Sequence, residues 1–69
     1  MNKTKPPTIL DDYTPREALA EEIGVCRETL IRWERDGRGP PVTHVGRKPF
    51  YYRPSVMEWL RGQERPPAA

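Results

Sequence analysis

The chain has 69 residues and a formal net charge of +2 at neutral pH, and 32% of its residues are charged. A chain of this length forms one small domain and buries only about 60% of the surface that it exposes when unfolded, which excludes a barrel enzyme, a nucleotide-binding α/β domain and a deep substrate cavity. A single cysteine excludes a disulfide framework and a zinc site built from several thiolates, and no run reaches the roughly 18 apolar residues of a membrane span. We therefore expect a cytoplasmic protein without a metal site, a cofactor or a membrane segment.

The charges are unevenly distributed along the chain. Residues 1–24 carry three basic and five acidic side chains, whereas residues 25–53 carry seven basic and three acidic ones. A local excess of positive charge attracts polyanions, so the middle third is the candidate surface for a nucleic acid. A solvated surface without a partner can have the same composition, and charge alone does not separate the two interpretations.

Both ends of the chain are polar and rich in proline. Residues 1–8 lack the apolar core of a signal peptide, and residues 63–69 follow a glycine that ends the last predicted helix. We expect a disordered N-terminal arm over residues 1–8, one folded domain over residues 9–62 and a disordered tail over residues 63–69.

Two short helices are predicted in the first half of the folded domain. Thr14 and Glu17 have the spacing of a capping box, and the apolar stripe that follows ends at Gly24, a residue suited to a left-handed C-cap. Arg27–Asp36 contains good helix formers and no glycine or proline, and Cys26 is expected to be a half-buried cap before it. Two helices joined by a glycine turn form a helix-turn-helix.

The second predicted helix has two different sides. At 100° per residue, Leu30 and Trp33 lie on one side, and Glu28, Arg32 and Arg35 cluster on the opposite side. A helix that docks through its two apolar residues therefore presents the three polar ones outward as a group.

A hairpin is predicted after the second helix. Residues 42–45 and 50–53 are rich in β-branched and aromatic side chains, and the turn over residues 46–49 carries Arg47 and Lys48. A hairpin with a cationic tip that follows a helix-turn-helix is a wing.

A third helix is predicted over residues 55–61. Ser55 and Glu58 have capping-box spacing, and Pro54 is an alternative start. Its apolar positions, which are expected to close the core over the hairpin, are Val56, Trp59 and Leu60. The elements together predict an α+β fold, a small winged helix-turn-helix with two helices, a two-stranded hairpin wing and a short C-terminal helix.

The order of these motifs resembles the MerR-like winged-helix family that includes phage excisionases and AlpA-type regulators. The matching motifs are Gly-Val at 24–25, Thr-Leu-x-x-Trp at 29–33, Gly-Pro-Pro at 39–41, Gly-Arg at 46–47 and Trp-Leu at 59–60. The resemblance covers residues 13–60. This chain departs from it with Cys26 in place of the usual serine cap, and with prolines at 49 and 54.

The resemblance implies that the second helix enters the major groove of DNA and that the hairpin tip reaches the adjacent minor groove. It implies base contacts for Glu28 and Arg32 and a minor-groove contact for Arg47. The chemistry is suitable, because arginine can bind guanine O6 and N7 and glutamate can accept from cytosine N4. An ion pair between Glu28 and Arg32, one helical turn apart, is the alternative.

Five further side chains are expected to contact phosphates. Arg27 and Thr29 lie near the start of the second helix, where the backbone N–H groups and the helix dipole favour anions. The others are Arg35, His44 and Lys48, for which a solvated surface position is the alternative. His44 has no second histidine or cysteine at metal-ligand spacing, so it is not expected to bind a metal.

The function that the resemblance implies involves no catalysis. An excisionase, or recombination directionality factor, binds repeated sites on double-stranded DNA as neighbouring copies, bends the DNA and directs a phage integrase, here of the tyrosine recombinase class, towards excision. Such a protein works in the cytoplasm of a bacterial host cell, associated with the nucleoid. An AlpA-like transcriptional regulator and a protein-interaction adaptor are the alternatives. An enzyme is not expected, because the sequence offers no carboxylate pair, nucleophile–base set or metal cluster.

Overall fold

Three helices and a three-stranded antiparallel sheet make up the fold in the computed structural model, which describes residues 9–67. In chain order the elements are β1 (Tyr13–Pro15), α1 (Arg16–Ile23), α2 (Arg27–Asp36), β2 (Thr43–Val45), β3 (Lys48–Tyr52) and α3 (Arg53–Arg61). The strand order β1-β3-β2 makes β3 the central strand. The predicted α+β class is confirmed, and the expected arm over residues 1–8 lies outside the described residues.

The first strand, β1, is an element that the sequence pattern does not predict. It pairs antiparallel with β3, and Thr14 lies opposite Tyr51. Thr14 is 6% exposed, and the N-cap of α1 is Pro15, which provides no side-chain cap hydrogen bond. The predicted capping box of Thr14 and Glu17 is therefore wrong, because the threonine belongs to the sheet and is buried there.

A short glycine turn joins α1 to α2. Gly24 has a φ of +81°, and its N–H donates to the Ala20 carbonyl at 2.9 Å, which is the predicted left-handed C-cap. The bounds of α2 are those predicted from the sequence. Cys26, the N-cap of α2, is exposed rather than half-buried and makes no side-chain cap hydrogen bond.

The hairpin formed by β2 and β3 has a tighter turn than the sequence predicts. Val45 pairs with Lys48, so the loop consists of Gly46 and Arg47 alone. Gly46 has a φ of +62°, a conformation that suits the first position of a two-residue hairpin loop. Lys48 and Pro49 therefore lie in β3 rather than in the turn. Pro49 is tolerated because this end of β3 pairs only with β2.

The third helix begins two residues earlier than predicted. Tyr52 is its N-cap and forms no side-chain cap hydrogen bond, so the predicted cap at Ser55 is wrong. Arg53 belongs to the helix rather than to the strand, and its N–H donates to the Asp12 carbonyl at 2.9 Å. This bond ties the start of α3 to the segment just before β1. Pro54 fits the first turn, where an N–H has no partner within the helix.

The core lies where the helices pack against the sheet. Its buried apolar residues are Leu19, Ala20, Leu30, Tyr51 and Val56. Leu60, expected to close the core from α3, is 39% exposed instead. Trp33 packs against the core and against Trp59, with ring centroids 5.6 Å apart, and Trp59 Nε1 donates to the Arg38 carbonyl at 3.1 Å. The two tryptophans thus join α2 to α3 at the edge of the core.

Beyond α3 the described chain contains no further helix or strand up to residue 67. The N–H groups of Gln63 and Glu64 donate to the carbonyls of Leu60 and Arg61 at 2.9 and 3.1 Å, which extends the helix end as turns. Within residues 9–67, no helix has the length and apolar character needed to cross a membrane.

Candidate nucleic-acid interface

The two sides of α2 are arranged as the helical spacing predicts. Leu30 is 1% exposed and Trp33 packs against the core, whereas Glu28, Arg32 and Arg35 are exposed. The outward side of α2 is therefore a polar surface with two arginines and one carboxylate. We refer to Glu28, Arg32 and Arg35 as the α2 surface.

The carboxylate of the α2 surface is paired with an arginine other than the one expected. Glu28 Oε2 lies 3.8 Å from Arg27 Nη1, and the alternative pair of Glu28 with Arg32 is not formed. Arg27 Nε also lies 3.4 Å from Glu17 Oε2. These pairs are exposed, so each contributes only about 0–1 kcal/mol and can exchange for a contact with a phosphate.

The positive excess of residues 25–53 remains on side chains without a partner in the described chain. All three carboxylates of this segment are neutralised, since Asp36 lies 3.8 Å from Arg35 Nε, Glu28 pairs with Arg27, and Glu34 pairs with Arg16. The cations of the segment with no ion pair among residues 9–67 are Arg32, Arg38, Arg47 and Lys48. Unneutralised cations on an exposed surface attract a polyanion.

The start of α2 places Arg27 and Thr29 beside the first backbone N–H groups of the helix. The Thr29 N–H donates to the Cys26 carbonyl at 3.0 Å, and the Thr29 hydroxyl lies 3.2 Å from Cys26 Sγ. The side-chain hydrogen bond with Thr29 lowers the pKa of the exposed Cys26 thiol. The Thr29 hydroxyl is therefore engaged within the first turn, while Arg27 is exposed.

A polar network, absent from the predictions, connects α1, α2 and both strands of the hairpin. Arg16 donates from Nε to Tyr51 Oη at 3.1 Å and from Nη2 to Glu34 Oε1. His44 Nε2 donates to the other oxygen of the carboxylate, Glu34 Oε2, at 2.7 Å. Arg16 is 8% exposed and Tyr51 is 1% exposed, so these bonds satisfy polar groups that the core has removed from water.

The charges of this network stabilise one another. The hydrogen bond from His44 is the main cause of the lowered pKa of Glu34, and Arg16 lowers that pKa further, against the opposing effect of burial. Burial disfavours the charge on Arg16, but its hydrogen bonds to Tyr51 and Glu34 outweigh burial and raise the pKa of Arg16. The network therefore holds an ionised carboxylate between two nitrogen donors.

One signal in the sequence points to Glu34. On the helical wheel of α2, Glu34 lies only about 40° from Leu30, on the side that faces the interior. A carboxylate on that side needs a cation, since an unpaired buried charge is costly. The sequence does not identify that cation as Arg16, which lies 18 residues away.

The hairpin carries the other predicted contact residues. Arg47 lies in the two-residue loop and Lys48 is the first residue of β3, and both are exposed. His44, expected to contact a phosphate, is 50% exposed and hydrogen-bonded to Glu34. The structure thus separates the predicted residues into two groups, one on α2 and one on the hairpin, and the bond between Glu34 and His44 joins them.

Two further observations concern metals and relatives. Among residues 9–67, no three or more histidine, cysteine, aspartate or glutamate side chains come together in a group that could hold a metal ion. No family model, no curated protein and no solved structure matches the chain.

Proposed function

We propose that the protein is a small winged helix-turn-helix that binds double-stranded DNA, with α2 in the major groove and the hairpin tip at the adjacent minor groove. The observation that carries this proposal is the α2 surface. Arg32 is exposed there and has no ion-pair partner within residues 9–67, while Leu30 holds the opposite side of the helix in the core. A helix fixed in this way can present its polar side to a groove as a rigid unit.

The proposed contacts follow from the side-chain chemistry. Arg32 binds guanine O6 and N7, and Glu28 accepts from cytosine N4 once its weak surface pair with Arg27 opens. Arg47 enters the narrow minor groove, where the negative potential is strongest. The side chains proposed to contact phosphates are Arg27, Thr29, Arg35, His44 and Lys48.

Within this function we propose the role of an excisionase. The sequence resemblance over residues 13–60 supports it. Neighbouring copies bind repeated sites on the DNA, bend it and direct a phage integrase towards excision in the cytoplasm of a bacterial host. The module suits an AlpA-like regulator of transcription equally well.

The test is a footprint of the full chain on candidate attachment-site and promoter DNA, combined with a salt titration. An excisionase protects closely spaced repeats cooperatively and bends the fragment, whereas a regulator protects one isolated site. With about five phosphates neutralised, log affinity should fall against log salt with a slope of about −4 to −5.

Two results would contradict these proposals at different levels. An affinity for DNA that does not change with salt, or no binding, removes the DNA-binding function and favours an adaptor that binds proteins. A steep salt dependence with a single isolated footprint keeps DNA binding and rejects the excisionase role.

A further inference from the structure

We propose that Glu34, acting through His44, is the positioning residue that holds the hairpin against α2, so that Arg47 and Arg32 meet one duplex together. This inference rests on the proposed DNA-binding function. The bond between Glu34 and His44 is the contact that combines the residues on α2 and those on the hairpin into one surface.

Glu34 occupies a place from which it can align three elements. One carboxylate oxygen accepts from Arg16 of α1, and the other accepts from His44 of β2 at 2.7 Å. Arg16 is itself fixed by its bond to the buried Tyr51 hydroxyl at 3.1 Å. Both oxygens of Glu34 therefore have donors, and the donor from β2 is held by a carboxylate that the core has already oriented.

Apolar burial contributes little to holding β2 in place. All three residues of β2 are exposed, and its main backbone neighbour is β3. Val42, just before the strand, packs against the core and anchors the base of the hairpin. β2 is thus an edge strand held by its pairing with the central strand β3, and the hydrogen bond from His44 to Glu34 is the side-chain contact that ties it to α2.

His44 is close enough to the hairpin tip for this contact to affect the position of the tip. His44 lies opposite Pro49, and Arg47 follows it by three residues, a distance of at most about 10 Å along a strand. A hairpin that pivots at its base displaces its tip the most. Loss of the bond between Glu34 and His44 therefore displaces Arg47 relative to Arg32 without altering either arginine.

A double-mutant cycle with Arg47→Ala and His44→Ala tests the positioning role. His44→Ala leaves the pair of Arg16 and Glu34 intact, so the variant is expected to fold, which circular dichroism checks. In the wild-type background, Arg47→Ala should weaken binding to the footprinted site about 10-fold. In the His44→Ala background the same change should cost about threefold or less, because the tip is no longer aligned with the groove.

Two variants serve as controls for the cycle. Thr43→Ala alters an exposed residue of the same strand that has no side-chain partner among residues 9–67, so its effect should add to that of Arg47→Ala. His44→Gln keeps an amide donor in the place of Nε2. In this background Arg47→Ala should weaken DNA binding nearly as much as it does in the wild type.

The outcomes separate the inference from the function on which it rests. Additive effects of His44→Ala and Arg47→Ala would mean that His44 contacts DNA independently, and the positioning role is then rejected. If the wild-type chain binds no DNA, the proposed function fails. NMR relaxation of the Arg47 amide then tests whether His44 positions the hairpin. An amide as ordered in His44→Ala as in the wild type overturns the positioning of the hairpin as well.

Discussion

Arg32 and Lys48 are exposed cations on different elements, and neither has an ion-pair partner within residues 9–67. Arg32 lies on the α2 surface and carries a planar guanidinium, which can discriminate between bases, whereas Lys48 lies beside the hairpin loop and carries a compact charge. If the protein binds DNA as proposed, we therefore expect the contribution of Arg32 to depend on the DNA sequence and that of Lys48 to be independent of it.

Substitution of each cation by alanine should give different patterns of loss. Arg32→Ala should cost about 1–3 kcal/mol on the preferred site and much less on a scrambled duplex, which relaxes specificity. Lys48→Ala should weaken binding to both duplexes alike and reduce the salt slope by about 1. Titrations of the two duplexes at several salt concentrations measure both effects. An equal loss on both duplexes for Arg32→Ala would remove Arg32 from base recognition.

At the scale of the element, α2 begins without the cap that its position calls for. Cys26 is the N-cap, yet it forms no side-chain cap hydrogen bond, and its Sγ lies 3.2 Å from the Thr29 hydroxyl. The first N–H groups of a helix have no partner within the helix, and serine is among the residues that satisfy them best.

We expect Cys26→Ser to stabilise the fold by about 0.5–1.5 kcal/mol, since serine supplies the missing cap. For a domain of this size each kcal/mol raises Tm by about 4–8 °C, so thermal unfolding followed by circular dichroism detects the change. Cys26→Ala is the matched control, because it removes the thiol without adding an acceptor. Equal stabilisation by alanine and serine would show that removal of the thiol, and not capping, is responsible.

At the scale of the whole molecule, Glu34 makes the stability of the folded state depend on pH. The pKa of Glu34 is lowered from its ordinary value of 4.5, first by the hydrogen bond from His44 and then by Arg16. A group with a lowered pKa in the folded state contributes stability that is present above its unfolded-state value. That contribution is lost as the pH falls below 4.5 and through the folded-state pKa of Glu34.

The stability advantage of the wild type over Glu34→Gln should therefore disappear in acid. The wild type should unfold at a higher Tm than Glu34→Gln at about pH 6, and the difference between the two Tm values should shrink as the pH falls below 4.5. Glu58→Gln, which removes an exposed carboxylate with no ion pair among the described residues, should follow the wild type throughout. A difference in Tm between wild type and Glu34→Gln that stays constant with pH would assign the effect to packing and not to charge.

The sequence by itself determined the features of this protein that depend on near neighbours. The bounds of α2, the left-handed end of α1 at Gly24, and the division of α2 into a side with Leu30 and a side with Arg32 all follow from helical geometry and glycine conformation. Each of these features depends only on residues within one or two helical turns of one another. The spacing of a few residues is therefore sufficient to predict them.

The tertiary structure decided the features that depend on distant partners. Thr14 has the spacing of a helix cap, but it pairs with Tyr51 of β3, and Arg16 reaches Tyr51 across 35 residues. Strand pairing and the neutralisation of a buried charge join segments that are far apart in the chain. Local propensity does not predict which of these segments come into contact. For the same reason the bond of Glu34 to His44, which relates the hairpin to α2, became visible only in the folded molecule.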